Sequence, residues 1–281
     1  MYSKALALGG IAVVTGAASG VGRAAARRFA QDGFGVILAD LPGEALVAAT
    51  QDVSAAAKNG APVIAQPTDV GSDADVAALA DRAFATGEVA VLMNNAGIGA
   101  ETNTSWSGTQ GWDSILNVNF RGVLRGHMAF VPRMIAADRP AVIINTGSKQ
   151  GITTPPGNPA YNVSKAAVKV LTEQLSHELR AENARISAHL FVPGFTYTGM
   201  IQRVIPEKPA AAANPEDTVD YMLDRMRAGS FYILCPDGDV DRALDARRVA
   251  WAASDIIEDR PALSRWHPAF ADAFKAFESD R

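Results

Sequence analysis

The chain has little of what would commit it to a particular compartment or to a polyanionic partner. It carries one cysteine in 281 residues, so no internal disulfide can form and nothing in it requires an oxidising compartment. Cys235 is expected to be buried as a small apolar residue. Basic residues are not in excess: Lys and Arg number 26 against 30 Asp and Glu, a formal net charge of −4. Without a concentrated basic face, neither nucleic acid nor an anionic membrane surface is the expected partner. No uninterrupted apolar stretch reaches the roughly 18 residues a membrane-spanning helix needs, so the chain is expected to be soluble and cytoplasmic. The four histidines, His127, His177, His189 and His267, are scattered without ligand spacing, and no metal is expected.

What is present is core-forming material. A hydrophobic share of 48% with 20% charged residues is the composition of a globular protein with a sizeable core. The apolar run Ala5 to Val14 after Lys4 superficially resembles a secretory signal. However, Ile11–Val14 leads straight into Thr15-Gly16-Ala17-Ala18-Ser19-Gly20-Val21-Gly22, and cleavage there would destroy a strand, loop and helix unit. Strand-like runs recur at 11–14, 35–39, 62–67, 89–93, 141–146, 185–191 and 231–235. Several are apolar throughout rather than alternating, as strands covered on both faces are. Helical stretches at 22–32, 74–85, 113–137 and 160–182 separate them, so the order is βαβ and a mostly parallel, doubly wound seven-stranded sheet is predicted. Such sheets bind ligands at the carboxyl ends of their strands, and the following loops are where chemistry belongs.

Three constellations stand in those loops. Gly16, Gly20 and Gly22 lie where the first strand meets a helix, so that backbone N–H groups can approach a pyrophosphate at a helix N-terminus. The spacing is not the general Gly-x-Gly-x-x-Gly fingerprint, and a plain glycine turn is the competing reading. Asp40 ends the second strand, about 20 residues after the first glycine, where a carboxylate would accept hydrogen bonds from an adenosine ribose. An anion there repels a 2′-phosphate, and no Lys or Arg precedes Gly22 in the loop or follows Asp40 directly, so NAD is favoured over NADP. Asp40 opening a turn with Leu41-Pro42-Gly43 is the structural alternative. Finally, Tyr161 and Lys165 share a helix face, where an ammonium can lower a phenol's pKa. Ser148 emerges after the strand 141–146, where its hydroxyl can polarise the same substrate oxygen.

Together these pieces resemble the short-chain dehydrogenase/reductase family. In the family's order the chain carries Thr15-Gly16-x-x-x-Gly20-x-Gly22, Asp69-Val70, Asn94-Asn95-Ala96-Gly97, Asn119, Ser148, Tyr161-x-x-x-Lys165 and Pro193-Gly194, over roughly residues 11–198. The resemblance implies a Rossmann fold and hydride exchange between a nicotinamide cofactor and an alcohol or ketone. Tyr161 would be the catalytic acid/base, Lys165 would tune it and bind the nicotinamide ribose, Ser148 would orient the reacting oxygen, and Asn119 would hold a water linking Lys165 to solvent. Gly16, Ser19, Gly20, Val21 and Gly22 would cradle the pyrophosphate, with Asp40 and Leu41 at the adenosine end. Asp69 and Val70 would flank the adenine, and Asn95, Ala96 and Gly97 would line the cofactor's centre. Pro193, Gly194, Thr196 and Thr198 would follow the nicotinamide. Thr196 departs from the pattern, which has an aliphatic residue there.

Trp106, Phe195 and Tyr197 suggest an apolar or aromatic secondary alcohol or ketone. An NADP-dependent carbonyl reductase and a non-catalytic NAD(H)-binding scaffold are the alternatives. The chain is read as one catalytic domain, with residues 195–230 as a substrate loop or lid and 236–281 as a helical extension. There Phe270, Phe274 and Phe277 fall at i, i+4 and i+7, a stripe to be buried on its own domain or on a neighbouring subunit. A homodimer or homotetramer is expected from the family.

Overall fold

The computed structural model describes residues 1–99, 104–106, 108–199, 205–238 and 240–279. The seven apolar runs form β1 (Ile11–Thr15), β2 (Gly35–Asp40), β3 (Val63–Pro67), β4 (Val89–Asn94), β5 (Ala141–Thr146), β6 (Ile186–Val192) and β7 (Tyr232–Leu234). They pair in the order β3-β2-β1-β4-β5-β6-β7, and every pairing is parallel. β1, β4 and β5 are buried at every position, as their unbroken hydrophobicity requires.

The helices are α1 (Tyr2–Leu8), α2 (Gly20–Asp32), α3 (Glu44–Ala56), α4 (Asp73–Thr86), α5 (Gln110–Ile115), α6 (Gly122–Ala136), α7 (Gln150–Thr153), α8 (Pro159–Ala181), α9 (Pro215–Arg227), α10 (Arg242–Ile257) and α11 (Ala271–Ser279). Because side chains alternate across a strand, the sheet feeds two layers. Val14 and Leu38 pack with Ala25 and Phe29 of α2, Val53 of α3 and Met222 of α9. Val13, Ile37 and Leu92 pack on the other face with Leu79 of α4, Phe130 of α6 and Leu175 of α8.

Four features differ from expectation. The single helix predicted over 113–137 is interrupted by a π-helical segment, Leu116–Arg121. Within the expected lid 195–230, α9 is a core helix with Val219, Met222, Leu223 and Met226 buried, which narrows the candidate loop to the residues before it. The N-terminal run begins as a helix whose Tyr2 is fully buried against Phe29 and Phe34 and donates a 2.7 Å hydrogen bond to Asp32. In the tail, Pro268 opens a 3-10 turn through Phe270, so the aromatic stripe is split. Phe274 and Phe277 pack on Trp251, with ring centroids at 5.3 and 5.2 Å, while Phe270 faces His267. Cys235 is buried as expected, and burial pushes its thiol up to about 12. Among the described residues no helix is long and apolar enough to cross a membrane.

Candidate active site

The first βα turn is shaped by what its glycines lack. Gly16 and Gly20 adopt left-handed backbone, φ +66° and +53°, which favours glycine. A Cβ on Gly22 would fall 2.1 Å from the Gly16 carbonyl oxygen. Ser19 stands at the N-cap of α2 with its side chain making no capping bond, and no acid occupies the first helical turn. With Val21 these residues leave the positive end of α2 facing the strand ends, an arrangement suited to an anion. Asp40 holds this loop from the second strand: one carboxylate oxygen accepts from Ala18 N at 2.8 Å and the other from Leu41 N at 2.8 Å. Its turn-forming role is therefore real.

The next loops are stitched to β1. The Thr15 hydroxyl accepts from the backbone of Asn95 and Ala96 at 2.9 and 3.1 Å. Asn95 Nδ2 donates to the Thr15 carbonyl at 3.1 Å, and its Oδ1 accepts from Thr146 at 3.2 Å. The Asn95 side chain thus ties the ends of β1, β4 and β5 together. Asp69 closes its own turn by accepting from Gly71 N at 2.7 Å, and Val70 is buried against Gly122.

Asn158 caps α8, its Oδ1 accepting from Tyr161 N at 3.2 Å, with Pro159 in the first helical turn. This fixes the helix phase that turns Tyr161 and Lys165 to one side. Tyr161 is hydrogen-bonded to Ser148; burial raises its phenol above the ordinary range and the Ser148 bond works against that rise. The lowering expected from Lys165 is not found. The Lys165 Nζ lies 5.8 Å from the Tyr161 ring centroid and donates to the Thr146 carbonyl at 2.8 Å. Lys165 is 4% exposed, and burial lowers it to about 8. Asn119, fully buried in the π-helical segment, spends both ends of its amide on Ile98, accepting from N at 2.8 Å and donating to O at 2.9 Å. It thereby clamps the backbone beside Gly97, where a Cβ would stand 3.6 Å from Lys165 Nζ.

After β6, Pro193 leads into Gly194, where a Cβ would meet Asp237 at 2.2 Å. Thr196 answers its departure from the aliphatic pattern with a partner: its buried hydroxyl lies 3.1 Å from that of Thr218 on α9. Thr198 lies over the glycine turn, 3.0 Å from where a Gly20 Cβ would be. Phe195 and Tyr197 are half-buried nearby, and Tyr197 donates to the Ile205 and Pro206 carbonyls. Trp106 is 84% exposed and walls nothing; Met200 and Ile201 lie outside the described residues. Thr146 and Asn158 were missed as site-builders, although Asn-Pro before an apolar-periodic run is a legible helix start. Among the described residues no group of three or more His, Cys, Asp or Glu is placed to hold a metal.

A family model described as short chain dehydrogenase matches residues 10–209. The chain belongs to the short-chain dehydrogenase/reductase family. Its relatives include 1-deoxy-11-beta-hydroxypentalenate dehydrogenase of Streptomyces exfoliatus, 31% identical over 261 residues, 91% of this chain and 93% of that protein. They also include the 3-oxoacyl-[acyl-carrier-protein] reductase FabG of Thermotoga maritima, 34% identical over 205 residues, 73% and 81% of the two chains. A short-chain dehydrogenase/reductase from Burkholderia phymatum, solved in complex with NAD, superposes with TM-score 0.79 at 34% identity, covering 90% of this chain and 96% of that one. A metagenomic short-chain oxidoreductase solved with NADP gives 0.66 at 28% identity, covering 80% and 96%. This family member is accordingly an oxidoreductase of the dehydrogenase/reductase type.

Proposed function

We propose that the chain is an NAD-dependent dehydrogenase that interconverts a secondary alcohol and a ketone. The observation that carries this reading is the half-buried Tyr161, its hydroxyl bonded to Ser148, one helical turn from Lys165. The uncapped α2 end, the cradle at Gly16 and Gly22 that a Cβ would fill, and the Asp40 carboxylate fit a dinucleotide. Bound there, the nicotinamide would accept or return the hydride. Asp40 would take the adenosine ribose hydroxyls and repel a 2′-phosphate, with Leu41, Asp69 and Val70 around the adenine. Ser19, Gly20 and Val21 would present N–H groups to the pyrophosphate, and Asn95, Ala96 and Gly97 would line the middle. Pro193, Gly194, Thr196 and Thr198 would bound the nicotinamide end.

Ser148 donates to the reacting oxygen and Tyr161 exchanges its proton. Since burial raises the phenol, Tyr161 is protonated in the resting site: ready to donate in ketone reduction, and needing to lose a proton toward Lys165 before alcohol oxidation. Phe195 and Tyr197 favour an apolar or aromatic substrate. Residues 195–214 act as the substrate loop, residues after 236 form an extension of one cytoplasmic catalytic domain, and the enzyme assembles as a homodimer or homotetramer. The exposed Val163 and Val170 of α8 and Met128 of α6 support that assembly.

The test is a panel of secondary alcohols and ketones followed at the NADH absorbance band, with NAD(H) and NADP(H) in parallel. Tyr161→Phe is expected to lower kcat at least 100-fold, on the order of what a positioned acid/base contributes, while NADH affinity stays within about threefold. Tighter binding and turnover with NADPH would point to the carbonyl-reductase alternative. NADH binding with no turnover of any panel member would favour the scaffold.

A further inference from the structure

Lys149 follows Ser148 directly, and its ammonium sits between two carboxylates, 2.6 Å from Asp237 Oδ2 and 2.7 Å from Asp245 Oδ2. These carboxylates belong to different parts of the chain. Asp237 lies just past β7, and its other oxygen accepts the backbone N–H of Phe195 in the loop after β6. Asp245 lies in the first turn of α10 at 4% exposure, where the helix dipole favours an anion. Gly194 admits no side chain between this loop and Asp237, which holds the contact close. One ammonium thus joins the residue after Ser148, the 193–198 loop, the end of β7 and the C-terminal segment.

Apolar packing at this join is incomplete. Between α7 and α10, beside Lys149 and Asp245, runs a cavity of about 80 Å³ lined also by Ile152, Val249 and Arg265. Ion pairs desolvated to this degree persist only in a fixed geometry, and fixed geometry is what a hydroxyl acting on a reacting oxygen requires. We infer that the Lys149–Asp237–Asp245 cluster positions Ser148, so that the C-terminal segment is a working part of the active site. Lys149, Asp237 and Asp245 are positioning residues, and the inference rests on the dehydrogenase reading above.

The experiment uses the full chain and two readouts. Asp245→Asn, which keeps the side-chain size, is expected to lower kcat tenfold or more while the KM for NAD stays within about twofold, because Asp237 rather than Asp245 bonds the 193–198 loop that borders the proposed cofactor site. Lys149→Met should do the same, and Lys149→Arg should recover most of the loss. In a Ser148→Ala background, Asp245→Asn should cost nothing further, since residues acting through one group are not additive. Independently of turnover, Asp245→Asn should speed hydrogen exchange at the Gln150 amide, which donates to Ser148 Oγ at 3.2 Å, at least tenfold, with the β4 amides unchanged. Where Lys149→Met is too unstable to purify, Asp245→Asn carries both readouts. Unchanged Gln150 exchange overturns the inference, as does a kcat loss of equal size with and without Ser148. A wild-type chain that turns over no panel member overturns the dehydrogenase reading instead, and the exchange result still decides whether the cluster holds Ser148.

Discussion

Between β1 and β7, large side chains such as Phe29, Ile37, Leu92, Phe130 and Phe191 are sunk in two continuous layers at full burial. Past Pro236, among the described residues, Asp245, Trp251 and Ser264 are the buried ones, and α11 buries none of its side chains. That segment is organised around Trp251: its ring carries Arg260 at 4.0 Å, its Nε1 donates to Ser264 at 2.7 Å, and Arg248 pairs with Glu278 at 2.7 Å across it. Removal of apolar area from water, about 1.5 to 3 kcal/mol for each fully buried large side chain, holds the sheet. One aromatic hub and a few polar bonds hold the tail. A region of the second kind opens locally at low cost without unfolding the first.

The sharpest way to break this contrast is in the sheet itself. Leu92→Ala, in the central strand β4, is expected to lower stability by about 2 to 5 kcal/mol, read from the midpoint of urea unfolding. A loss below about 1 kcal/mol would mean that the layers are not close-packed.

Next is the sheet's charged exception. Burial lowers the Lys165 ammonium from 10.5 to about 8, so between those values the unfolded chain binds more protons than the native one and stability rises with pH. Below about pH 8 the cost is fully present, on the order of 3 kcal/mol; above about pH 10.5 it is gone. The advantage of Lys165→Met over the wild type should therefore shrink in thermal melts from pH 7.5 to 10. An advantage that stays constant would contradict the buried ammonium.

The smallest effect is expected in the tail. Trp251→Ala should move the main urea transition by less than about 1 kcal/mol while the amides of α10 lose exchange protection. A main transition that falls as far as that of Leu92→Ala would show the tail to be integral to the core.

The same contrast governs what could be read from the sequence. Strands buried on both faces announce themselves as apolar runs, and all seven lie within one or two residues of their expected bounds. Most of the candidate site residues could be named because they sit in short local strings after a strand's carboxyl end, and parallel strands bring those ends to one edge; Asn119, Tyr161 and Lys165 come instead from helical segments. What escaped depends on distant partners. Thr196 is at home because Thr218 meets it, and nothing near either residue says so. Tyr161 and Lys165 have the spacing for direct tuning, but the ammonium is taken by Thr146 and burial raises the phenol. Lys149 reads as an ordinary surface lysine until Asp237 and Asp245 arrive from beyond β7. Phe270 fits a helical stripe by count, yet Pro268 delays the helix until Ala271.

The sheet order has a kinetic consequence. β1 pairs with β2 on one side and with β4 on the other, so the β1–β4 seam joins strands separated by two intervening strands and three helical connections, while every other neighbouring pair is consecutive in the chain. Closing the longer loop costs more entropy and is slower than forming consecutive pairs. The Thr15 bonds to Asn95 and Ala96 span this seam, which also floors the proposed nucleotide cleft. A refolding chain must therefore complete its most distant pairing before it has a floor on which to hold the nucleotide. The recovery of the proposed nucleotide binding during refolding is thus expected to report the closing of that seam, where a far-ultraviolet signal averages over all helices and strands.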